Sequence, residues 1–163
     1  MKHIIVFLLC MLAGIANAQT SVVKTTHTKA VKTDVVSKGT VTIRKPDYIC
    51  ISTDGGKDQL VMDGTAFTMT MKGKDHKTDS RKNPQFATFQ SVLTAVINGQ
   101  PVPQSADLTV TTAGGQQTLT ITPEGKKRQL FTSFVLVVDS KTKVMKSLRM
   151  NGRKDSYTEY VFK

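Results

Sequence analysis

The stretch VTIRKPDYICISTDGGKDQLVMDGTAFTMTM, residues 41–71, decides the fold class because short alternating segments are separated by turn signals. Apolar residues and threonine alternate in VTI and AFTMTM, and a period of two is typical of strands with one buried face. The glycine-containing groups at 54–56 and 63–64 are typical of tight turns between antiparallel strands. This stretch therefore predicts consecutive antiparallel strands, and their expected ranges are 31–44, 48–53, 58–63 and 66–72.

The same pattern continues on both sides of this stretch. Threonine alternates with apolar residues in LTVTT and TLTIT, and its branched Cβ favours a pleated, half-exposed surface. Turn signals such as AGG at 113–115 and NGRK at 151–154 separate the segments. The remaining strands are predicted at 22–27, 107–112, 117–122, 129–138, 143–150 and 156–162, with turns rather than strand across 72–79.

One segment, NPQFATFQSVLTAVING at 83–99, has helical rather than strand periodicity. Asn83 is a candidate N-cap, Pro84 suits the first helical position, and Gly99 suits a left-handed C-terminal cap. Apolar residues recur every three or four positions, at Phe86, Phe89, Leu93, Val96 and Ile97. Many of the interior residues are weak helix formers, so this helix needs an apolar surface to lie on.

The predicted sheet offers that surface on one face. A single helix cannot cover a large curved sheet, so part of the apolar face is expected to stay accessible. Methionine suits surfaces that repack around varied partners, although ordinary core filling is the alternative interpretation. The apolar residues expected on this face are Ile43, Ile49, Ile51, Leu60, Met62, Phe67, Met69 and Met71.

Residues 1–18 have the pattern of a cleavable secretory signal peptide. Lys2 and His3 precede an apolar run at 4–15, which is too short to span a bilayer. The run ends in Ala16-Asn17-Ala18, so cleavage is expected after Ala18. Residues 19–163 are then expected to form a single domain, in which Cys50 is the lone cysteine and a small buried hydrophobe.

The formal net charge is +11, but the cations are scattered along the whole chain. A secreted protein seldom meets nucleic acid, so the open interpretations are a solvated sheet face or attraction to an anionic membrane surface. Asp75, His76 and Asp79 lie among lysines and arginines, which disfavours a metal ion. The sequence also lacks the spacing of a calcium loop and the common catalytic motifs, so no metal and no enzymatic activity are expected.

The order of several motifs resembles the LolA family of periplasmic lipoprotein carriers, and more widely LolB and the sensor domain of RseB. The motifs are a G-x-V-x-I-R-K-P strand, the YICI strand, QLVMDGTAF, the amphipathic helix and TPEGKKRQLFTSFVLVVDSKTKVMKSL. They cover about residues 39–162. The resemblance implies a mainly β, α+β fold, in which a curved antiparallel sheet forms a half-open β-barrel covered by one main amphipathic lid helix.

The resemblance also implies a function and a set of site residues. A LolA-like protein carries acyl chains of lipoproteins through the periplasm to the outer membrane, without a cofactor. The apolar residues of the sheet face and helix would line the cavity, and a basic residue before the strand's proline would latch the lid. Lys45 stands at that place, with Arg44 before it, while Pro46 marks a bend at the strand end. The segment SVVKTTHTKAVKTDVVSK alternates, so strands replace the helix that typical carriers have after the signal.

Two functions remain open from the sequence. The first is a periplasmic carrier of lipoproteins or lipids, with inner- and outer-membrane transfer partners, no nucleic acid, no stable membrane insertion and a monomeric state. The second is an envelope sensor or interaction module of the same fold, which binds a protein partner and carries no lipid.

Overall fold

The computed structural model describes residues 19–125 and 129–163, which form an eleven-stranded antiparallel sheet and an α-helix. The predicted signal peptide lies outside the described residues. The helix, α1, spans Ala87–Ile97 and follows a 3₁₀ turn at Pro84–Phe86. The strands are β1 Gln19–Thr28, β2 Val31–Arg44, β3 Tyr48–Thr53, β4 Asp58–Asp63, β5 Ala66–Met71, β6 Lys74–Asp79, β7 Leu108–Ala113, β8 Gln116–Ile121, β9 Ser133–Asp139, β10 Met145–Asn151 and β11 Tyr157–Phe162.

The sheet is open and curved, and its strand order is β6-β5-β4-β3-β2-β1-β11-β10-β9-β8-β7. Most neighbours are consecutive hairpins, as the turn signals predict. The exception lies at the centre, where β1 pairs with β11 and Val22 stands opposite Phe162. The first and last strands thus join two meanders, and α1 connects the two edge strands β6 and β7. The predicted mainly β, α+β architecture with one lid helix is confirmed.

Two strand predictions were wrong. The segment 74–79 is the edge strand β6, which pairs with β5 through its backbone although it has no apolar alternation. Charged residues on an edge strand discourage pairing with other chains, so here they protect an edge rather than mark a turn. The strand predicted from 129 begins only at Ser133. Before this strand, the side-chain amide of Gln129 donates from Nε2 to the Pro123 and Glu124 carbonyls. Phe131, which follows, is buried in the core.

The ends of α1 show which capping signals were effective. Gly99 has φ +62°, and its N–H donates to the Val96 carbonyl while that of Gln100 donates to Ala95. These two bonds form a Schellman motif, so the predicted C-terminal cap is confirmed. Asn83 precedes the first helical turn, but its side chain donates to the Thr78 hydroxyl and makes no cap hydrogen bond. The predicted N-cap position of Asn83 and first helical position of Pro84 are confirmed, whereas no side-chain capping hydrogen bond forms.

The core lies between α1 and the concave face of the sheet. Strand register places alternate residues of every strand on this face, and both meanders contribute to one apolar cluster. At its centre the Phe89 and Phe134 rings stack with centroids 4.3 Å apart, and the Phe86 ring meets Phe131 edge to face at 6.2 Å. Each buried side chain of this size contributes about 1.5–3 kcal/mol through burial. A helix of weak intrinsic propensity is thus held by its contacts with the sheet.

Candidate apolar binding site

The residues that the sequence predicts for the cavity converge on one side of the sheet and on the facing side of α1. Their accessibility falls into three groups. Most are buried in contact with one another, three are half-buried, and Met71 is exposed at the end of β5. The buried ones are Ile49, Ile51, Leu60, Met62, Phe67, Phe86, Phe89, Leu93 and Val96, and the half-buried ones are Ile43, Met69 and Ile97. The middle of the concave face is thus filled by the protein's own side chains.

An accessible cleft of about 360 Å³ lies at the C-terminal end of α1, and is called the helix-end cleft below. It opens between that end of the helix, β2, β11 and the turn between β9 and β10. Its volume is within the range of small-molecule sites. Its apolar walls continue into the core and consist of Val41, Ile43, Val96, Ile97, Val144, Met145 and Phe162.

The rim of the helix-end cleft is formed in part by the turn between β2 and β3. Asn98, just after α1, donates from Nδ2 to the Pro46 carbonyl oxygen at 2.6 Å and to the Thr94 carbonyl at 2.8 Å. Lys45 lines the cleft, whereas the Arg44 guanidinium lies 3.8 Å from the centroid of the Tyr48 ring. The turn is therefore tied to the helix through a backbone carbonyl, and the latch role of Arg44 and Lys45 stays a prediction.

The other end of α1 has its own openings on the concave side. A wide cavity of about 590 Å³ lies between the ends of β1, β5 and β11, where Met71 and Leu130 are exposed. A smaller one of about 230 Å³ lies between Met69, His76 and Phe86. Apolar space is therefore accessible at both ends of the helix but not beneath its middle.

A partly buried ion pair interrupts the apolar concave face. The Lys24 ammonium donates to Asp58 Oδ2 at 2.7 Å, and these side chains are only 9% and 21% exposed. The hydrogen bond from Lys24 lowers the pKa of Asp58 despite burial, and the Lys72 N–H adds to this. Burial, and then the nearby Asp58 carboxylate, raise the pKa of Tyr160. This pair was not predicted from the sequence, although Lys24 stands at the inward-facing position between Val22 and Thr26.

The contribution of the second meander to the helix-end cleft was also not predicted from the sequence. Val144, Met145 and Phe162 line it, but only residues of the first meander and the helix were predicted. An apolar strand of this meander was visible in the sequence, since residues 134–138 of SFVLVVD form a run of five apolar residues. What the pattern could not supply is the pairing of β1 with β11, which brings these walls together.

Two further findings bear on possible functions. Within residues 19–125 and 129–163, no three histidine, cysteine, aspartate or glutamate side chains are grouped as a metal site would require. In the same part of the chain, no helix is long and apolar enough to cross a membrane.

Comparison with known proteins gives one extensive match. The family model described as outer membrane lipoprotein carrier protein LolA matches residues 14–163. No curated protein sequence matches the chain.

Several solved structures overlap with the chain at low sequence identity. A LolA superfamily protein from Nitrosomonas europaea is 8% identical with a TM-score of 0.36, over 89% of this chain and 83% of that one. A chain of the complex between the CwlD amidase and the GerS lipoprotein from Clostridioides difficile is 13% identical with a TM-score of 0.35, over 84% and 78%. A chain of the MucA/MucB complex of Pseudomonas aeruginosa is 11% identical with a TM-score of 0.35, over 90% and 50%.

Proposed function

Because this chain belongs to the LolA family of outer membrane lipoprotein carrier proteins, we propose that it carries acyl chains in the apolar space between α1 and the sheet. The cargo would be lipoproteins or lipids bound through their acyl chains, and the route would cross the periplasm toward the outer membrane. Binding and release of the acyl chain need no covalent step, so the proposed function is that of a carrier and not of an enzyme.

The helix-end cleft is the observation that supports this proposal most directly. It is accessible, its walls are mostly apolar, and its floor at Val96 and Met145 belongs to the core. Each buried CH₂ group contributes roughly 0.8 kcal/mol, so a long chain needs few polar contacts for useful affinity. An acyl chain entering here would extend the existing core rather than create a new interface.

A longer acyl chain needs more space than the helix-end cleft offers, and α1 is the element whose movement can provide that space. The helix is rich in β-branched residues, lacks a side-chain N-cap bond and depends on apolar contacts with the sheet. An acyl chain can replace those contacts with equivalent ones. We therefore expect the helix to move away from the sheet as cargo enters, with the hydrogen bond from Asn98 to Pro46 resisting that movement.

The experiment is a binding titration of residues 19–163 with a fluorescent fatty acid, comparing the wild type with Val144→Glu. Val144 lines the helix-end cleft and is 54% exposed, so a carboxylate there is compatible with folding. A charge in the apolar wall should weaken binding at least about tenfold, since an acyl chain cannot solvate it. Unchanged affinity would show that acyl chains do not enter this cleft.

Val35→Glu is the matched control. Val35 is 62% exposed on β2, does not line the helix-end cleft, and undergoes the same change in charge. This variant should bind like the wild type. Equal loss in both variants would indicate a general effect of negative charge rather than a blocked cleft.

A second candidate function is an interaction module that carries no lipid. It is favoured by the filled middle of the concave face, where Phe89 and Leu93 are buried against the sheet. Native mass spectrometry of the protein purified from a bacterial periplasm separates the two candidates. Copurified acylated peptide or lipid supports the carrier, whereas an empty protein that also fails to bind a fatty acid supports the interaction module.

A further inference from the structure

We propose that the helix-end cleft prefers acyl chains with an anionic head group, which Lys45 and Lys143 bind at its rim. The ligand class is a single-chain amphiphile with a carboxylate or phosphate head. This inference rests on the proposed function, because it concerns which acyl compounds the same cleft accepts.

The two lysines reach the cleft from opposite halves of the sheet. Lys45 belongs to the turn between β2 and β3, and Lys143 to the turn between β9 and β10. Among the residues within 19–125 and 129–163 that line this cleft, none is an aspartate or a glutamate. In the described part of the chain, neither lysine is within ion-pair distance of a carboxylate, whereas Lys24 pairs with Asp58 and Lys29 with Asp155. The rim therefore presents two lysines without an ion-pair partner beside apolar walls.

Both lysines are carried by turns that hydrogen bonds hold in place. The Lys143 N–H donates to the Asp139 carbonyl at 3.0 Å, and the Asp139 N–H donates to the Val144 carbonyl at 2.9 Å. On the opposite side, the Asn98 side chain holds the Pro46 carbonyl. A fixed backbone on each side limits the flexible part to the lysine side chains, which lowers the entropic cost of binding a head group.

The C-terminus of α1 also lies at this rim and carries a partial negative charge of about half an elementary charge. Its effect is reduced because the carbonyls of Ala95 and Val96 already accept hydrogen bonds from Gln100 and Gly99. Two full positive charges outweigh it, so the net field at the rim favours an anion. An anionic head at the rim would leave the acyl chain directed along Ile97 toward Met145 in the apolar interior.

The test is isothermal titration of residues 19–163 with laurate, with its uncharged glycerol ester monolaurin, and with inorganic phosphate alone. Wild type should bind laurate about tenfold more tightly than monolaurin at low salt, since two exposed charge contacts of about 0.7 kcal/mol each together give the roughly 1.4 kcal/mol of a tenfold difference. The preference should fall as salt is added. The double variant Lys45→Gln, Lys143→Gln should lose the preference and keep its affinity for monolaurin.

The matched control is Lys32→Gln with Lys38→Gln, which removes two exposed lysines of β2 that do not line the cleft. It should preserve the preference for laurate. Equal affinity of the wild type for laurate and monolaurin would overturn this inference and leave the carrier function standing. Equal loss of both ligands in the cleft variant would assign the lysines a structural role instead. Binding of phosphate as tight as laurate would indicate a simple anion site, and binding of neither acyl compound would overturn the carrier function as well.

Discussion

At the scale of single residues, the ion pair of Lys24 and Asp58 is the strongest departure from an apolar concave face. Removing one partner of a buried pair leaves an uncompensated charge, and this costs more than the intact pair contributes. Asp58 is additionally held by the Lys72 N–H, which fixes the end of β5 beside β4. The pair therefore couples β1 to β4 across the intervening strands β2 and β3.

Asp58→Asn should lower the free energy of unfolding by about 2 kcal/mol at neutral pH, between the values for buried and exposed pairs, because the buried Lys24 then lacks its anion. The folded-state pKa of Asp58 lies below its unfolded value, which is close to 4. Its contribution is therefore fully present above about pH 4 and is lost as the pH falls through the folded-state pKa. Denaturant unfolding of both proteins from pH 7 down to pH 3 should show the difference between them shrinking below about pH 4.

The control for this prediction is Asp155→Asn. Asp155 lies 3.6 Å from Lys29, but both side chains are largely exposed, and exposed pairs contribute at most about 1 kcal/mol. Its unfolding free energy should stay close to that of the wild type at every pH. A cost for Asp58→Asn as small as for this control would mean that Lys24 reaches water when its partner is removed.

At the scale of elements, β2 and β3 approach each other closely at Gly39, which stands opposite Thr53. A Cβ at position 39 would overlap the Ser52 carbonyl oxygen and lie 2.8 Å from the Thr53 Cα, both of them backbone atoms. Gly39→Ala should therefore destabilise the protein by about 2–3 kcal/mol, as overpacking does in cores. Thermal unfolding should show a Tm several degrees lower, whereas Ser37→Ala on the same strand should change little. A Tm equal to wild type would mean that β2 bends away from β3 at no cost.

The sequence predicted elements well where one face is apolar and poorly where it is not. AFTMTM predicts β5 because Phe67 and Met69 enter the core. The neighbouring KDHKTD hides β6, whose pairing with β5 is made by backbone atoms and polar side chains, such as the hydrogen bond from Thr70 to Asp75. Gly99 predicts the end of α1 because only a left-handed residue closes a Schellman motif. Asn83 correctly marks the start of the helical segment, but its side-chain amide donates to Thr78, a partner supplied by the tertiary structure, and makes no capping hydrogen bond.

The same distinction holds for the candidate site. The apolar residues of the first meander and of α1 were predictable from periodicity, and the structure does place them together. Val144 and Phe162 were not, because they join the helix-end cleft only through the pairing of β1 with β11. That contact joins residues from opposite ends of the chain, such as Val22 and Phe162, and no local pattern encodes it.

At the scale of the whole molecule, two layers of different stability follow from the topology. Strands β1 and β11 have neighbours on both sides and hold the two meanders together, so their amides should be the most protected. The helix α1 connects the two edges and packs on the sheet by side chains, with hydrogen bonds such as that of Asn98 to Pro46 at its end. Its movement away from the sheet leaves every strand pairing intact.

This difference gives a test of the lid in the unliganded protein. Native-state hydrogen exchange at increasing denaturant should show the α1 amides exchanging through a local opening at a lower free energy than the amides of β1 and β11. The intrinsic weakness of the helix favours such an opening, because once its apolar contacts are released little holds it in helical form. Saturating laurate should raise that opening free energy if its acyl chain binds beneath the helix, because the ligand then stabilises the closed form of the protein. If the α1 amides exchange only in the global unfolding of the sheet, the helix is a fixed part of the core. Acyl binding would then be confined to the helix-end cleft, and release would not proceed through movement of the helix.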